Sequence, residues 1–200
     1  MQLNSIFSVD IGCASLVEHL PLARELFAEN KDSLTPIPDN VGLKTSLKDY
    51  LSHATVNHQD SAKIDILKDA ILGKGYEYAV ALGYGDNVHK LKVDNLWFNE
   101  MESGSTHPAH AHYGPIISGC FYVDMPENCN PIKFSHPHLY LDTLHKMGIN
   151  RFTQSNSTNW TVNPMEGDIL LWKSDLQHEA PKAEFEGVRR SIAFDIVVVK

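Results

Sequence analysis

The sequence predicts a mainly β chain, a β-sandwich or jelly roll with helices gathered at its N-terminal end. Three observations predict it. Helical periodicity is concentrated in residues 1 to about 90. From residue 91, apolar residues alternate with others or fall in short β-branched and aromatic runs separated by turn residues. The length of 200 residues and an apolar fraction of 42% suit a single domain, 1–200, with 1–90 mixed and helical and 91–200 the jelly-roll core.

Each element has its own reason. Ser15 to Glu18 has capping-box spacing, but Pro21 falls where that helix would have its interior, so a turn is expected first. A helix then follows over 21–30 with Leu22, Leu26 and Phe27 inward. The prolines and asparagine of 35–40 mark a loop. Ile64, Leu67 and Ile71 recur at helical spacing within 61–72, and 76–82 continues the pattern after an interruption at Gly73 and Gly75. Leu91, Val93, Asn95, Trp97 and Asn99 alternate with Lys92, Asp94, Leu96 and Phe98, which is strand period. Further strands are expected at 116–123, 131–134, 159–162 and 168–172. The run 191–199 reads as a central strand, because it needs a partner on both sides.

Composition excludes several classes. A formal net charge of -8 argues against nucleic acid, whose phosphates it would repel. The longest apolar stretches are too short to span a membrane, and the N-terminal residues lack the basic start of a signal peptide. Cys13, Cys120 and Cys129 show no paired spacing, so free thiols in a reducing, cytoplasmic compartment are expected. The outlier is histidine, with 11 residues. Imidazole is the commonest metal ligand.

Three segments carry chemistry. In His107-Pro108-Ala109-His110-Ala111-His112, His110 and His112 would project to one face of a strand, close enough to share a metal ion. A solvated loop with two accidental histidines is the bland alternative. His107 lies on the wrong side of Pro108 for the same geometry and is read as a neighbour of the site or as exposed. The second segment is an apolar strand from Asp168 that ends in a polar turn and His178, a third ligand from a distant strand or an ordinary loop histidine. The third is Arg189-Arg190-Ser191. Arg189 and Ser191 share one strand face, and an arginine turned into a β-core needs an anion, either a ligand carboxylate or an internal acid. Arg190 suits a structural ion pair or the surface.

Taken together these segments resemble the Fe(II)/2-oxoglutarate oxygenases of the prolyl-hydroxylase-like superfamily. Trp97-Phe98-Asn99, Gly104, His110-x-His112, Ile117-Ser118-Gly119 and Tyr122-Val123 carry the first half of the likeness. Pro164-x-x-Gly167-Asp168, His178 and Arg189-x-Ser191-Ile192-x-Phe194 carry the second. Fainter similarity reaches Ile6-Phe7 and 42–46.

The resemblance implies a double-stranded β-helix, or cupin-like jelly roll, with the N-terminal helices packed on it. It implies a dioxygenase that uses Fe(II), 2-oxoglutarate and O2 to hydroxylate a substrate, with release of succinate and CO2. By position, His110, His112 and His178 would be the metal ligands, and Arg189 and Ser191 would bind the far carboxylate of 2-oxoglutarate. Tyr122 and Asn99 would contact the co-substrate or orient a ligand. His112 stands where the wider superfamily has a carboxylate. Three histidines are preferred to a carboxylate from elsewhere, such as Asp175 or Glu179. A small-molecule, amino-acid or peptide substrate and a homodimer are the expectations for partners. A hydrolytic zinc site and a non-catalytic cupin-like module that binds a metal or a small acid are the alternatives. The remaining histidines read as rim or surface. His136-Pro137-His138 would lie near the entrance, His145 in a lid over 139–155, and His19, His53, His58 and His89 elsewhere.

Overall fold

We describe a computed structural model of the chain over residues 8–36, 43–45, 47–49, 54–55, 62–85, 90–137 and 146–199. The elements in order are β1 (Gly12–Ser15), α1 (Leu20–Glu29), β2 (Thr35–Pro36), β3 (Leu43–Thr45), β4 (Leu47–Asp49), β5 (Ala54–Thr55) and α2 (Ala62–Ala81). Then come β6 (Leu91–Glu102), β7 (His107–His110), β8 (Ile117–Asp124), β9 (Ile132–Ser135), β10 (Asn159–Val162), β11 (Asp168–Lys173), β12 (His178–Ala180) and β13 (Val188–Val198). Short 3-10 turns stand at Val17–His19 and Lys31–Ser33. Among the described residues, no helix is long and apolar enough to cross a membrane.

The large sheet runs β1-β11-β8-β13-β6-β3-β2, and the small one β10-β9-β12-β7. From β6 onward the chain passes repeatedly between them. Strands β6, β8, β11 and β13 lie in the large sheet and β7, β9, β10 and β12 in the small one. That exchange is the double-stranded β-helix. β13 is the central strand, hydrogen-bonded to β6 on one side and β8 on the other.

Strand period explains the two cores. Phe98, Phe121, Val123, Ile169, Leu171, Ile192, Phe194 and Ile196 pack with Leu26 and Phe27 of α1 and with Ile64, Leu67 and Ile71 of α2. The alternate residues Cys120, Tyr122, Leu170 and Trp172 face the small sheet and pack with Ile132 and Phe134. Both faces of β8 and β11 are therefore dry, which is why they read as continuous apolar runs. Each large apolar side chain buried this way contributes about 1.5–3 kcal/mol. That packing also holds α1, whose ten residues are too few to be stable alone.

Several expectations change in detail. Pro21 sits in the first turn of α1, where its missing N–H costs nothing. Thr35 and Pro36 pair with Thr45 and Lys44 as an edge strand rather than forming loop, while 37–40 lie outside the described residues. The glycines do not interrupt α2. A Cβ on Gly75 would stand 2.5 Å from Ile196 Cδ1, so the glycine is there because the helix crosses β13 closely. β1 and β3 add the N-terminal region to the large sheet, against β11 and β6.

A line of alternating charges ties α1 to the sheet. Arg190 donates to Glu100 at 2.7 Å and to Asp124 at 3.0 Å. Arg24 donates to Asp124 at 2.9 Å and to Glu166 at 3.1 Å. Half-exposed pairs add little stability singly, but shared carboxylates fix the helix in place. Arg190 is thus occupied by structure.

Candidate metal centre

The site lies on the face of the large sheet opposite the helices. Ser191 of β13 stands beside Tyr122 of β8 and Asn99 of β6, so these three form one cross-strand row. Arg189 stands beside Met101, and Ala193 beside Trp97 and Cys120. The small sheet closes over this grid. His178, the first residue of β12, stands opposite His110, the last residue of β7. One pocket is lined by both sets, including His110, His112, His178, Trp97, Asn99, Tyr122, Trp172, Arg189 and Ser191.

The expected strand geometry of His110 and His112 does not hold. β7 stops at His110, because its partner β12 begins at His178 directly across from it. Beyond that point the chain turns to the end of β11, where the His112 amide donates to the carbonyl of Ser174, the residue after the strand, at 2.8 Å. The three rings still converge. Their centroids are 5.2 Å apart for His110 and His112, 4.3 Å for His110 and His178, and 5.3 Å for His112 and His178. One nitrogen from each lies within 4.8 Å of the others, close enough to hold a single metal ion.

Each ring is aligned by an oxygen. His110 Nδ1 lies 2.7 Å from the Pro108 carbonyl, and His178 Nδ1 lies 2.9 Å from the Leu176 carbonyl. His112 Nδ1 lies 2.7 Å from Asp195 Oδ1. A neutral imidazole that donates from Nδ1 keeps its lone pair on Nε2, the tautomer a metal requires. The donor set therefore fits a divalent cation. Among the described residues, no carboxylate joins the group. Asp175 is exposed, and Glu179 reaches the pocket but is ion-paired with Lys133.

Arg189 defines the other end of the pocket. It is 4% exposed, yet among the described residues it forms no ion pair with an acid. Its contacts are Met101 Sδ at 3.1 Å, Ser191 Oγ at 3.4 Å and the Tyr122 ring, whose centroid is 5.2 Å away. Arg189 Nε, Tyr122 OH, Asn99 Oδ1 and Trp172 Nε1 are buried and make no hydrogen bond among the described residues. A buried cation without an acid, among unsatisfied polar atoms, fits an anionic ligand with further polar groups. Burial pushes the Tyr122 phenol well above its ordinary range, the neighbouring Cys120 adds to this, and Arg189 partly opposes it. Tyr122 is therefore a neutral hydroxyl donor near pH 7. Burial likewise raises the Cys120 thiol, which makes it unreactive.

The remaining site residues distribute as follows. His107 lies in β7 with its ring 4.3 Å from that of His110, and its neighbour Pro108 is tolerated because β7 is an edge strand. Trp172 packs edge-on to His178 at 4.7 Å, and Trp97 tilts against His112 at 5.7 Å. Phe194 faces the helices instead. It lies against Gly119, where a Cβ would fall 2.1 Å from its ring and 2.6 Å from the Leu170 carbonyl. His53, His58, His89, His138 and His145 lie outside the described residues.

Sequence reasoning gave no role in the site to Asp195, Ser118 or Ser174. All three are buried beside His112. The signal for Asp195 was a lone acid between Phe194 and Ile196 in the otherwise apolar run from Ile192 to Val199, which can be buried only with a partner.

Residues 95–195, just over half the chain, match the family described as "Putative 2OG-Fe(II) oxygenase". No curated protein matches the chain in sequence. Solved structures do match in fold. A prolyl-4-hydroxylase from Pseudomonas putida aligns at a TM-score of 0.60 and 13% identity, over 96% of this chain and 95% of that one. An oxidoreductase of the 2OG-Fe(II) oxygenase family from Burkholderia pseudomallei aligns at 0.64 and 12%, over 94% and 84%. HygX from Streptomyces hygroscopicus, with nickel and 2-oxoglutarate bound, aligns at 0.58 and 13%, over 95% and 83%.

Proposed function

The chain belongs to the 2OG-Fe(II) oxygenase family, and from that premise we propose that it hydroxylates a small-molecule, amino-acid or peptide substrate with release of succinate and CO2. In this reading His110, His112 and His178 hold Fe(II). Arg189 and Ser191 bind the far carboxylate of 2-oxoglutarate, and Tyr122 and Asn99 contact the same molecule. The observation that carries the reading is Arg189, a buried guanidinium without an acid partner among the described residues, in one pocket with three converging histidines. A hydrolytic zinc site would give that cation no role.

Bound Fe(II), with 2-oxoglutarate and O2, supplies the oxidising chemistry. The chain supplies position and environment. Arg189 offers a rigid fork to a carboxylate, and its stacking on the Tyr122 ring limits how the fork can turn. Tyr122 stays protonated and so donates to an anion rather than repelling it. The Pro108 and Leu176 carbonyls accept from Nδ1 of two imidazoles and so turn their Nε2 atoms toward the metal position. Trp97, Trp172, Met101 and Leu43 keep the walls apolar, which strengthens every charge interaction inside.

Incubation of the protein with Fe(II), 2-oxoglutarate and O2 is expected to yield succinate, with slow turnover even before the substrate is known. Omission of iron abolishes it. Absence of succinate in the complete mixture, from protein shown to bind 2-oxoglutarate, overturns the reading.

A further inference from the structure

We infer that Asp195 supplies, through the Nδ1 proton of His112, the negative charge that an all-histidine ligand set lacks, and so governs how tightly the site holds a divalent cation. The inference rests on the assignment of His110, His112 and His178 as ligands. Three neutral imidazoles leave a bound cation with its whole double charge. The three are not equivalent, however. His110 and His178 are each aligned by a neutral backbone carbonyl. His112 alone is aligned by a carboxylate, at 2.7 Å.

Asp195 is 1% exposed, and among the described residues its sole ion-pair partner is His112. It stands opposite Ser118 across β8 and β13, and Ser118 Oγ donates to it at 2.6 Å. Ser118 Oγ also lies 2.8 Å from Ser174 Oγ, and the Ser174 carbonyl holds the His112 amide. The carboxylate is thus fixed against one edge of the ring by a buried frame drawn from β8, β13 and the turn that follows β11. Burying a carboxylate with two hydrogen bonds and no full cation is costly. A dication on the far nitrogen of the same ring offsets that cost, and the dry surroundings strengthen the attraction. A carboxylate so placed also makes the imidazole a stronger donor. The charge absent from the ligand position is therefore restored one residue further out.

Anaerobic titration with Co(II), and with Fe(II) in competition, tests this. Asp195→Asn keeps the size and an acceptor for Nδ1 but removes the charge. It should lose about 10–100-fold in metal affinity, the range for groups that act through a ligand. Ser118→Ala disturbs the same frame and keeps the charge, so its loss should be several-fold smaller. The visible band of the anaerobic Fe(II)–2-oxoglutarate complex should move to shorter wavelength in Asp195→Asn, since a less electron-rich iron gives up charge less readily. In a His112→Asp background the effect should shrink. A ligand carboxylate then supplies the charge and the Nδ1 link is gone, so Asp195→Asn should cost several-fold less affinity than in the parent protein. Wild-type affinity and an unmoved band in Asp195→Asn overturn the inference alone, as does an equal loss in both backgrounds. If the wild-type protein takes up no Co(II), the ligand assignment fails and the inference falls with it.

Discussion

Replacement of Arg189 by methionine is expected to raise the melting temperature of the ligand-free protein and to abolish its stabilisation by 2-oxoglutarate. Both signs follow from burial. Arg189 is 4% exposed with no acid beside it among the described residues, so the ligand-free fold bears the cost of an uncompensated charge. A methionine of similar length removes that cost, in the same direction as the replacement of buried ion pairs by apolar residues, which is neutral to stabilising by about 1–4 kcal/mol. The same change removes the partner of a ligand carboxylate. Loss of one member of a buried charged pair costs about 3–5 kcal/mol, or roughly a hundred- to five-thousand-fold in affinity. Thermal melts with and without millimolar 2-oxoglutarate read both effects. A methionine variant that still gains stability from 2-oxoglutarate would show that the anion binds elsewhere. Lysine should rescue poorly, because a point charge cannot match the fork that stacks on Tyr122.

The second large effect is at the ligands. His178→Ala and His112→Ala should each lower Fe(II) affinity by more than about 100-fold, beyond what a group acting through a ligand achieves. His178 is placed by β-pairing with His110, so its loss removes one of the two proposed ligands fixed by the small sheet. His112 is placed by the loop that docks on Ser174. The two variants thus test different supports of one site. Metal content after anaerobic gel filtration is the measurement. Unchanged iron in His112→Ala means that the three-histidine site is wrong.

Much of this architecture was legible because the strands are dry on both sides. The apolar run 116–123 and the alternation from Leu91 could be little else, and β13 announced its central place by its length and its β-branched residues. Period two also placed Arg189 and Ser191 on one face, and they do share the pocket. Other features depend on contacts that no local pattern records. Gly75 looks like a helix breaker until Ile196 is seen against it. Pairing of Leu43 and Thr45 with β6 depends on residues far along the chain. The end of β7 at His110 is set by where β12 begins, so the two histidines converge by a different path from the one their spacing suggests. Asp195 was the costliest omission. A single acid in an apolar strand acquires meaning only when Ser118 and His112 are known to lie beside it.

The family chemistry, the histidine cluster and the buried arginine meet in one anaerobic experiment. The wild-type protein is mixed with Fe(II) and then with 2-oxoglutarate under argon, and its visible spectrum is recorded. A charge-transfer band that appears only when both are present, and that is missing in His178→Ala and in Arg189→Met, is the predicted result. A protein that binds Fe(II) and 2-oxoglutarate separately but gives no band would contradict the account, because metal and co-substrate would then not share the pocket.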